Sequence, residues 1–534
     1  MPSPPPSEKS SPLSPSPDDD ALISSPNDPA SATTAATTSS MLNEKAVKDP
    51  EEPDSESHTD SVIDPDEFLV QFEGPDDPFC PLNWTFRKKA FTTMMYACCT
   101  FGPQFSSSIY GPCVDDIASL YGVSHEVSTL GVSLFILGVG FGPMLFAPIS
   151  EAFGRKIGCV IPFFISGIFA IGCGAANNLQ TVLIMRFFQG LMGGAPVSNS
   201  GGVLGDIWRP DARATALVCY AFVVASGPTV APIVGAAMSV RLDDGWRWTE
   251  YLSAIYTFVI SFLIAMFVPE TYHPVLLSRK AKQLRLSTQN WAYHAHHDEW
   301  DLTFQLVVTK HLKRPFQMLF TPIVTCMCLY GSFAFGLLYL GVVAIPVEFR
   351  TIRGWSKLPS NLPSLGMFVG IYIGGVLNIL GGIRYKRAMK ANGGKPVPEE
   401  RLIVMRLGCF LIPIGLFIFG WTSDPKYPFI APIIGVAIMA CGFFTCFQGC
   451  LNYLVDAFTV YAASAIAAAT FSRSCMAAAF PLFGKALFTN LGVNWGASLV
   501  GFIGIAGIPI PFVLYKYGPT IRKRNPYSID GTKY

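Results

Sequence analysis

An arginine stands inside an apolar stretch of the chain, with a glutamine three residues later, in the run Arg186-Phe-Phe-Gln189-Gly190. Placing an arginine within the hydrocarbon of a membrane costs about 2.5–3.5 kcal/mol on insertion scales. We therefore expect the guanidinium to face a wet cavity and to pair with another group. Such a cation can respond to protonation of a nearby acid or bind a substrate anion. If Arg186 lies near the end of its span instead, its side chain can reach the interface by snorkelling.

A second charged cluster lies in the loop after the second apolar stretch, which reads Glu151-Ala-Phe-Gly154-Arg155-Lys156. Gly154 permits a tight backbone path. Arg155 can reach carboxylates on neighbouring helix ends, and Asp206, which closes the fourth apolar stretch, is a natural partner. The cluster is predicted to latch one conformation and to release in another. Ordinary anchoring of basic residues at the membrane interface explains the same pattern equally well.

The fifth apolar stretch combines prolines and glycines, namely Gly227, Pro228, Pro232 and Gly235. Each proline removes a helix hydrogen bond and bends the axis, and each glycine lets another backbone come close. A kinked, tightly packed helix of this kind can seal one side of a cavity. A purely structural packing kink is the alternative.

Polar and aromatic side chains in other apolar stretches are candidates for lining a substrate cavity, since ligand sites combine apolar walls with a few polar groups. They are Gln104, Tyr110, Tyr330, Tyr339, Asn378, Asn452 and Tyr453. Arg473 and Lys485 are further candidates for buried charges, and Asp456 with Arg473 is a hypothetical latch. No stretch carries an obvious acid at its middle, so the sequence leaves the proton site unassigned.

The chain offers no chemistry typical of an enzyme or of ATP-driven transport. His294-Ala-His-His-Asp298 lies in a polar segment and is interpreted as solvated rather than metal-binding. A phosphate-binding loop of the Gly-x-x-x-x-Gly-Lys-Ser/Thr kind does not occur. A net charge of +1 gives no bulk attraction to nucleic acid. We therefore expect no enzymatic activity, no cofactor, no metal and no nucleic-acid partner.

These residues sit in a chain that is half hydrophobic and only 14% charged. It contains twelve apolar stretches long enough to cross a bilayer, which takes about 20 residues each. Lipid offers no hydrogen bonds to bare backbone, so the stretches must be helices and the protein an all-α membrane protein. They are predicted at 89–111, 126–149, 157–177, 180–205, 213–238, 247–268, 319–347, 363–382, 403–422, 429–454, 459–488 and 497–517.

The polar segments divide the chain into five parts. These are a disordered cytosolic tail at 1–85, a six-helix bundle at 86–268, a central cytosolic loop at 269–318, a second six-helix bundle at 319–518 and a cytosolic tail at 519–534. Six spans on either side of one loop predict two bundles around a shared cavity. Lysine and arginine concentrate in alternate loops, which places both termini in the cytosol.

The motifs resemble those of the major facilitator superfamily, and within it the fungal drug:proton antiporters with twelve spans, over about residues 80 to 525. The loop signature of that family is met only in part, since Ala147, Glu151 and Ala152 replace its Gly, Asp and cation. Arg186, Gln189 and Gly190 match the family's fourth-span motif, and the resemblance implies a role in proton coupling. The run 225–235 resembles the antiporter signature, which implies export. Further matches are Gly205-Asp-Ile-Trp208, Gly245-Trp-Arg-Trp248 and Pro269-Glu-Thr-Tyr272.

We therefore expect a secondary active transporter of the plasma membrane that exports small amphipathic or aromatic compounds in exchange for protons. Drugs, toxins and secondary metabolites fall within that class, and the two bundles would alternate access to one site. The expected partners are the small-molecule substrate, protons and the lipid bilayer, with the protein as a monomer. Two alternatives remain: an uptake carrier or facilitator of the same fold for a polyamine, vitamin or sugar, and a receptor that binds ligand without moving it.

Overall fold

A computed structural model describes residues 68–74, 77–298, 312–523, 525 and 527–528. Residues 1–67, which make up most of the predicted disordered tail, lie outside these ranges. The described part is α-helical with short 3-10 and π turns, and its only β-type pairing is an isolated bridge between Leu69 and His294.

The first half of the chain folds into six long helices and two short ones. The long helices are α1 (Phe86–Ile109), α3 (His125–Phe153), α4 (Arg155–Gly174), α5 (Leu179–Ile207), α6 (Pro210–Arg241) and α7 (Gly245–Phe267). The short helix α2 (Val114–Tyr121) follows α1, and α8 (His273–Thr288) follows α7. All six long helices exceed the length that a bilayer crossing requires.

The second half repeats this plan after a short helix, α9 (Arg314–Leu319). Its spans are α10 (Pro322–Pro346), α11 (Ser364–Ala391), α12 (Leu402–Trp421), α13 (Ile430–Ala457) and α14 (Ala462–Asn490), then α15 (Gly492–Gly507) with α16 (Pro509–Lys523). The last two helices count as one span because they form a single apolar segment, Gly492–Lys523. A π-helical turn, Val347–Ile352, extends α10.

Ten of the described helical segments are long and apolar enough to cross a membrane by length and composition alone. Helices α1 and α5 complete the twelve. They are less apolar because polar and small residues stand among the apolar ones, for example Gln104 and residues 106–108 in α1 and Gln189, Asn199 and Ser200 in α5. The chain is therefore a multi-pass membrane protein with twelve spans in two six-helix bundles, as the sequence predicts.

Helix α6 packs directly on the backbone of α1 through glycines. A Cβ atom added at Gly235 would lie 2.2 Å from the carbonyl oxygen of Ile109. One added at Gly227 would lie 3.0 Å from Gln104 Cβ and from the Phe105 backbone nitrogen. Small residues allow this approach where the lipid gives no hydrophobic force between helices.

The two halves meet along α3 against α14 and α6 against α11. Ser133 Oγ on α3 donates to the carbonyl oxygen of Ala478 on α14 at 2.7 Å. Phe222 on α6 stacks on Tyr372 of α11 with ring centroids 4.9 Å apart. These interfaces are the surfaces across which the halves would have to slide or separate.

The segment before α1 is tied to α8, although the sequence places it in the disordered tail. The Nζ atom of the buried Lys280 lies 2.8 Å from Glu73 Oε1 and 3.0 Å from Asp77 Oδ2. The Val70 backbone N–H donates to the carbonyl oxygen of His294 at 2.9 Å. The ordered part of the chain thus begins before the predicted boundary at residue 85.

Substituting Gly235→Leu should destabilise the first bundle, because the new side chain would enter the space that the α1 backbone occupies. Overpacking of this kind costs about 1–3 kcal/mol. We expect the thermal midpoint of the purified protein, followed by fluorescence-detected size exclusion, to fall by several degrees. Gly201→Leu is the matched control, since a Cβ there meets nothing within 4 Å. Equal midpoints for the two variants would contradict this account of the α1–α6 contact.

Substituting Lys280→Met should release residues 68–74 from α8. Burial alone would raise the pKa of Asp77, but hydrogen bonds from the Glu73 and Phe79 backbone N–H groups and from Lys280 hold that pKa below its usual value. Burial alone would lower the pKa of Lys280, but its bonds to Glu73 and Asp77 raise it. The carboxylate therefore stabilises the contact above about pH 4, and loses effect as the pH falls through its lowered pKa. The lysine stabilises it below about pH 10, and loses effect as the pH rises through its raised pKa.

Hydrogen exchange at the Val70 amide measures this contact. We expect exchange at least several-fold faster in the Lys280→Met variant, and protection in the parent protein that is constant between pH 5 and 9 after correction for the intrinsic rate. Lys282→Met, at an exposed position of the same helix, should leave exchange unchanged. Protection that survives in Lys280→Met would show that the lysine does not hold the segment.

Candidate functional site

An ion pair between Arg186 and Glu250 lies deep in the first bundle. Arg186 is in the third turn of α5 and Glu250 in the second turn of α7, and both side chains are 0% exposed. Arg186 Nη2 lies 2.5 Å from Glu250 Oε1. Its Nη1 donates to the carbonyl oxygen of Ser106 on α1 at 2.9 Å. Arg186 therefore connects three helices, and it does not snorkel to an interface.

The surroundings of this pair are aromatic and dry. The guanidinium carbon lies 4.3 Å from the ring centroid of Tyr110 and 5.4 Å from that of Phe135. Gln189, one turn after Arg186 and 2% exposed, lies beside Glu250. Oε2 of Glu250 and Oε1 of Gln189 accept no hydrogen bond within the described residues. Removing one partner of a buried ion pair costs about 3–5 kcal/mol, so neutralising Glu250 would destabilise this arrangement.

Glu250 is the functional candidate that reasoning from sequence missed. It follows the Gly245–Trp248 motif by two residues and lies inside the predicted span 247–268. The expectation that no span carries an obvious acid at its middle left Glu250 out, because Glu250 lies in the second turn of its helix. The available signal was the acid itself, since an ionisable residue within a span is a functional candidate by default. Glu250 lies near the start of its predicted span, so a search for acids at the middle of spans does not find it. Arg186 also lies near the start of its helix, which allows the two side chains to meet.

A small cavity of about 10 Å³ lies between the two halves. Its lining residues come from both halves and are Pro103, Gln104, Ser107, Ile136, Val139, Phe335, Tyr339, Arg473 and Ser474. The Tyr339 hydroxyl donates to Gln104 Oε1 at 3.2 Å and lies 2.9 Å from Ser107 Oγ. Two predicted cavity residues, Gln104 and Tyr339, thus meet across the halves. Ligand pockets for drug-sized molecules measure about 300–1,000 Å³, so the central cavity is too small to hold such a molecule in this conformation.

The other predicted cavity residues lie elsewhere. Tyr110 covers Arg186, as described above. Tyr330 packs inside the second bundle, with its hydroxyl 3.5 Å from Cys446 Sγ. Asn378 donates to a carbonyl of its own helix. Tyr453 is fully buried and Asn452 half-buried on α13, and neither lines the central cavity.

Arg473 on α14 lines the central cavity and also a second one of the same volume within the second bundle. Its guanidinium carbon lies 5.0 Å from the ring centroid of Phe335 and 5.2 Å from that of Phe447. The hypothesis that Arg473 pairs with Asp456 was wrong. Asp456 Oδ2 accepts from Arg401 Nε at 2.7 Å instead, because the start of α12 lies beside the end of α13.

The predicted loop cluster forms around Arg155. Its Nε lies 3.3 Å from Asp206 Oδ2, and its Nη1 donates to Ser150 Oγ at 2.9 Å. The guanidinium carbon lies 4.6 Å from the ring centroid of Tyr272. The contact between Arg155 and Asp206 is thus present, while its latching role stays a prediction.

Gly154 allows this cluster to form because its φ of +98° is open to glycine and disfavoured for other residues. A Cβ there would also lie 2.4 Å from Glu270 Oε2. The Glu270 carboxylate accepts hydrogen bonds from the backbone N–H groups of Arg155 at 2.9 Å and Lys156 at 3.1 Å. Glu270 therefore caps α4. Glu151 is half-buried at the end of α3.

The second half repeats the cluster in a simpler form. Arg401 precedes the third span of its bundle, Asp456 ends the fourth, and the guanidinium carbon of Arg401 lies 3.5 Å from the ring centroid of Tyr385. Arg155, Asp206 and Tyr272 hold a comparable arrangement in the first half. Each bundle thus has an arginine between an aspartate and a tyrosine ring at the same end.

The proline and glycine motif of α6 packs against α1, the helix that contributes to both the Arg186–Glu250 pocket and the central cavity. Pro228 and Pro232 lie within α6, and Gly227 and Gly235 hold that helix against α1. Helix α1 in turn carries the carbonyl that accepts from Arg186 and the glutamine that lines the central cavity. The gating role of these four residues stays a prediction.

A second set of ion pairs joins the halves at the end of the molecule where α2 lies. Asp115 contacts Lys485 at 3.1 Å and Arg350 at 3.4 Å, and Asp116 contacts Lys357 at 2.6 Å. The hydrogen bond from His125, together with the Lys485 charge, holds the pKa of Asp115 well below its usual value despite partial burial. The two aspartates belong to the first half and their three cations to the second, so these pairs close the molecule at the α2 end.

Residues 96–481 match the family description Major Facilitator Superfamily. Among solved structures, the chain is similar to the proton:xylose symporter XylE bound to 6-bromo-6-deoxy-D-glucose, with a TM-score of 0.58 and 15% identity over 81% of this chain and 96% of that one. That likeness concerns the fold. The chain belongs to the major facilitator superfamily.

Several fungal relatives match most of the chain. "Efflux pump bik6" of Gibberella fujikuroi is 43% identical, with 86% of this chain and 95% of the relative covered. "Citrinin biosynthesis cluster MFS transporter mrr1" of Monascus ruber is 41% identical, with 87% and 93% covered. "Major facilitator superfamily multidrug transporter FLU1" of Candida albicans is 38% identical, with 87% and 76% covered.

Replacing Asp115 and Asp116 together by asparagine should open the α2 end, because it removes the three contacts to the second half. Spin labels on cysteines at Leu242 and Ile352, which are exposed at this end, report the opening. The exposed native Cys219 and Cys326 would be changed to serine first. We expect a new population at longer distance.

Asp424→Asn is the control for this measurement, since Asp424 pairs only with Lys426 of its own loop through their side chains. It should leave the distance distribution unchanged. An unchanged distribution in the double variant as well would mean that the aspartates do not hold the α2 end closed.

Proposed function

We propose that this protein exports small amphipathic or aromatic compounds from the cytosol by secondary active transport, driven by protons moving inward. The relatives named as an efflux pump and as a multidrug transporter support the direction and the substrate class. The twelve-span fold, with a small cavity lined by residues of both halves, supports alternating access. The observation that carries proton coupling is the buried pair of Arg186 and Glu250.

Glu250 is the proton carrier in this proposal. When Glu250 accepts a proton, Arg186 keeps its charge in a dry pocket with one carbonyl and two aromatic rings. The lost counter-ion is worth about 3–5 kcal/mol. Arg186 must then move towards water or a new acceptor, and its bond to Ser106 carries that motion into α1. Release of the proton on the other side restores the pair.

The driving force suffices for this cycle. One charge falling through 100 mV releases about 2.3 kcal/mol, and one pH unit adds about 1.4 kcal/mol. Their combination is comparable to the stability of the buried pair. It would also sustain roughly a 500-fold gradient of a neutral compound.

The orientation and location belong to the same proposal. Basic residues in the loops after α3, α7 and α11 favour a cytosolic position for those loops and for both termini. The α2 end then faces the outside, and its ion pairs close the external opening. We place the protein in the plasma membrane as a monomer, where export removes a compound from the cell.

An uptake carrier of the same fold is less well supported. A polyamine carrier needs acids in its cavity to balance the cargo, and the described lining of both cavities holds an arginine and no acid. A vitamin or sugar facilitator needs no proton site, which leaves the Arg186–Glu250 pair without a role. A receptor that never moves its ligand needs neither a cavity lined by both halves nor the ion pairs that join the halves at the α2 end.

Substituting Glu250→Gln should abolish coupling while leaving the cavity intact. In proteoliposomes we expect the parent protein to accumulate aromatic probe compounds when a pH gradient is imposed. The Glu250→Gln variant should lose at least nine-tenths of that accumulation but retain exchange of labelled for unlabelled probe across the membrane.

Glu348→Gln is the matched control, because Glu348 is also a buried acid with an arginine partner, Arg353 at 2.7 Å, far from the Arg186 pocket in sequence. It should keep gradient-driven accumulation. If Glu250→Gln accumulates probe as well as the parent, Glu250 does not carry the proton. If the parent moves no probe in response to the gradient, proton-driven export is refuted.

A further inference from the structure

Arg473 is a cation within the membrane that has no acid beside it. The cavities that it lines contain no aspartate or glutamate among the described residues. Its guanidinium carbon lies 5.0 Å from the ring centroid of Phe335 and 5.2 Å from that of Phe447. Polar and charged groups placed inside a membrane protein are costly, and they mark substrate or ion pathways.

Arg186 differs from Arg473 in having an acidic side chain of the same protein as its counter-ion. Arg186 has Glu250 at 2.5 Å and a carbonyl at 2.9 Å, and the pair is sealed from solvent. Arg473 is half-buried and lines two cavities of about 10 Å³ each. No acidic side chain of the described cavity linings serves as its counter-ion.

We propose, building on the export function above, that Arg473 binds the anionic group of the substrate, and that the preferred substrates are aromatic organic acids. A guanidinium offers two parallel N–H donors that match a carboxylate. The rings of Phe335 and Phe447 flank the guanidinium and can contact an aromatic ring attached to that carboxylate. The hydroxyls of Ser107 and Tyr339 line the same cavity, and their oxygens can accept hydrogen bonds from donor groups of the substrate.

The location of Arg473 fits a site that opens and closes. The neighbouring Ser474 packs against α3 of the first half, where a Cβ added at Gly140 would lie 2.6 Å from Ser474 Cβ. The second cavity extends from Arg473 among Leu451, Leu454 and Ala469, at the end of the second bundle that also carries Asp456. Separation of α3 from α14 would thus expose the guanidinium from the proposed cytosolic side.

An anionic substrate also changes the electrical balance of transport. Exporting one anion while importing one proton moves two positive charges inward. Accumulation should then respond to membrane potential more strongly than to an equivalent pH gradient, since potential acts on both charges and the pH gradient on the proton alone.

Equilibrium binding to the purified full-length protein tests this assignment. The probes are three matched pairs, namely the carboxylates of naphthalene, anthracene and biphenyl and their neutral primary amides. We expect the parent protein to bind at least one acid about 10-fold or more tightly than its amide, as for hydrogen bonds to charged groups. Arg473→Gln should lose that preference, and Arg473→Lys should retain part of it.

The control variant is Arg406→Gln, which removes a cation that also lies over an aromatic ring, 4.1 Å from the Tyr515 centroid, but lines neither cavity. It should bind like the parent, and equal thermal midpoints of all variants exclude misfolding. If the parent prefers no acid to its amide, or if Arg473→Gln keeps the preference, the assignment is overturned. If the gradient still drives export of the amides in that case, proton-driven export remains supported. If the gradient drives transport of no probe, proton-driven export itself is refuted.

Discussion

A charge that is sealed from solvent inside the first bundle requires an opposite charge beside it, and that constraint organises the bundle. Transferring an ion from water to such a medium has an idealised cost of about 20 kcal/mol, reduced to several by relaxation. Arg186 meets this constraint by pairing with Glu250 and by bonding to the backbone at Ser106. Three helices therefore share one electrostatic contact, and a change of protonation at Glu250 cannot leave their packing unaffected.

The ion pairs that Asp115 forms at the α2 end differ from this one in exposure. The side chains of Asp115 and Arg350 are 47% and 46% exposed, and exposed pairs contribute about 0–1 kcal/mol each. Pairs of that strength can break and re-form during transport. The buried pair can separate only when its acid is neutralised. In the proposed cycle, the pairs at the α2 end bias which end is closed, while the buried pair determines when that bias can reverse.

The parts of this structure that the sequence predicts are those encoded locally. Each span carries its own apolar composition, so all twelve helices could be placed, most of them within four residues of their bounds. Helix α11 extends nine residues beyond its predicted end at 382, because its last turns are polar and basic. Arg155 and Asp206 were paired correctly because both lie at helix ends in short loops. Glu250 and the Arg401–Asp456 contact depend on which helices become neighbours, and no local pattern encodes that.

The cavity residues show the same limit for a different reason. Gln104 and Tyr339 line the central cavity. Tyr330 lies on the opposite face of α10 from Tyr339 and is buried inside its own bundle. Periodicity identifies the inward face of a helix that has one polar side. Helix α10 is apolar on every side, so its sequence does not distinguish a tyrosine that faces the partner bundle from one that faces its own.

Helix α1 gives the proton and substrate sites a physical connection. Its Ser106 carbonyl accepts from Arg186, and the next residue, Ser107, contacts the hydroxyl of Tyr339 in the opposite half. Tyr339 and Arg473 line the same cavity. In the proposed cycle, a displacement of Arg186 after protonation of Glu250 reaches the cavity within one turn of α1. The first half supplies a cation with an internal partner, and the second supplies a cation with no acid in the described linings of its cavities. On this proposal the proton and the substrate act on different bundles, and α1 connects their sites.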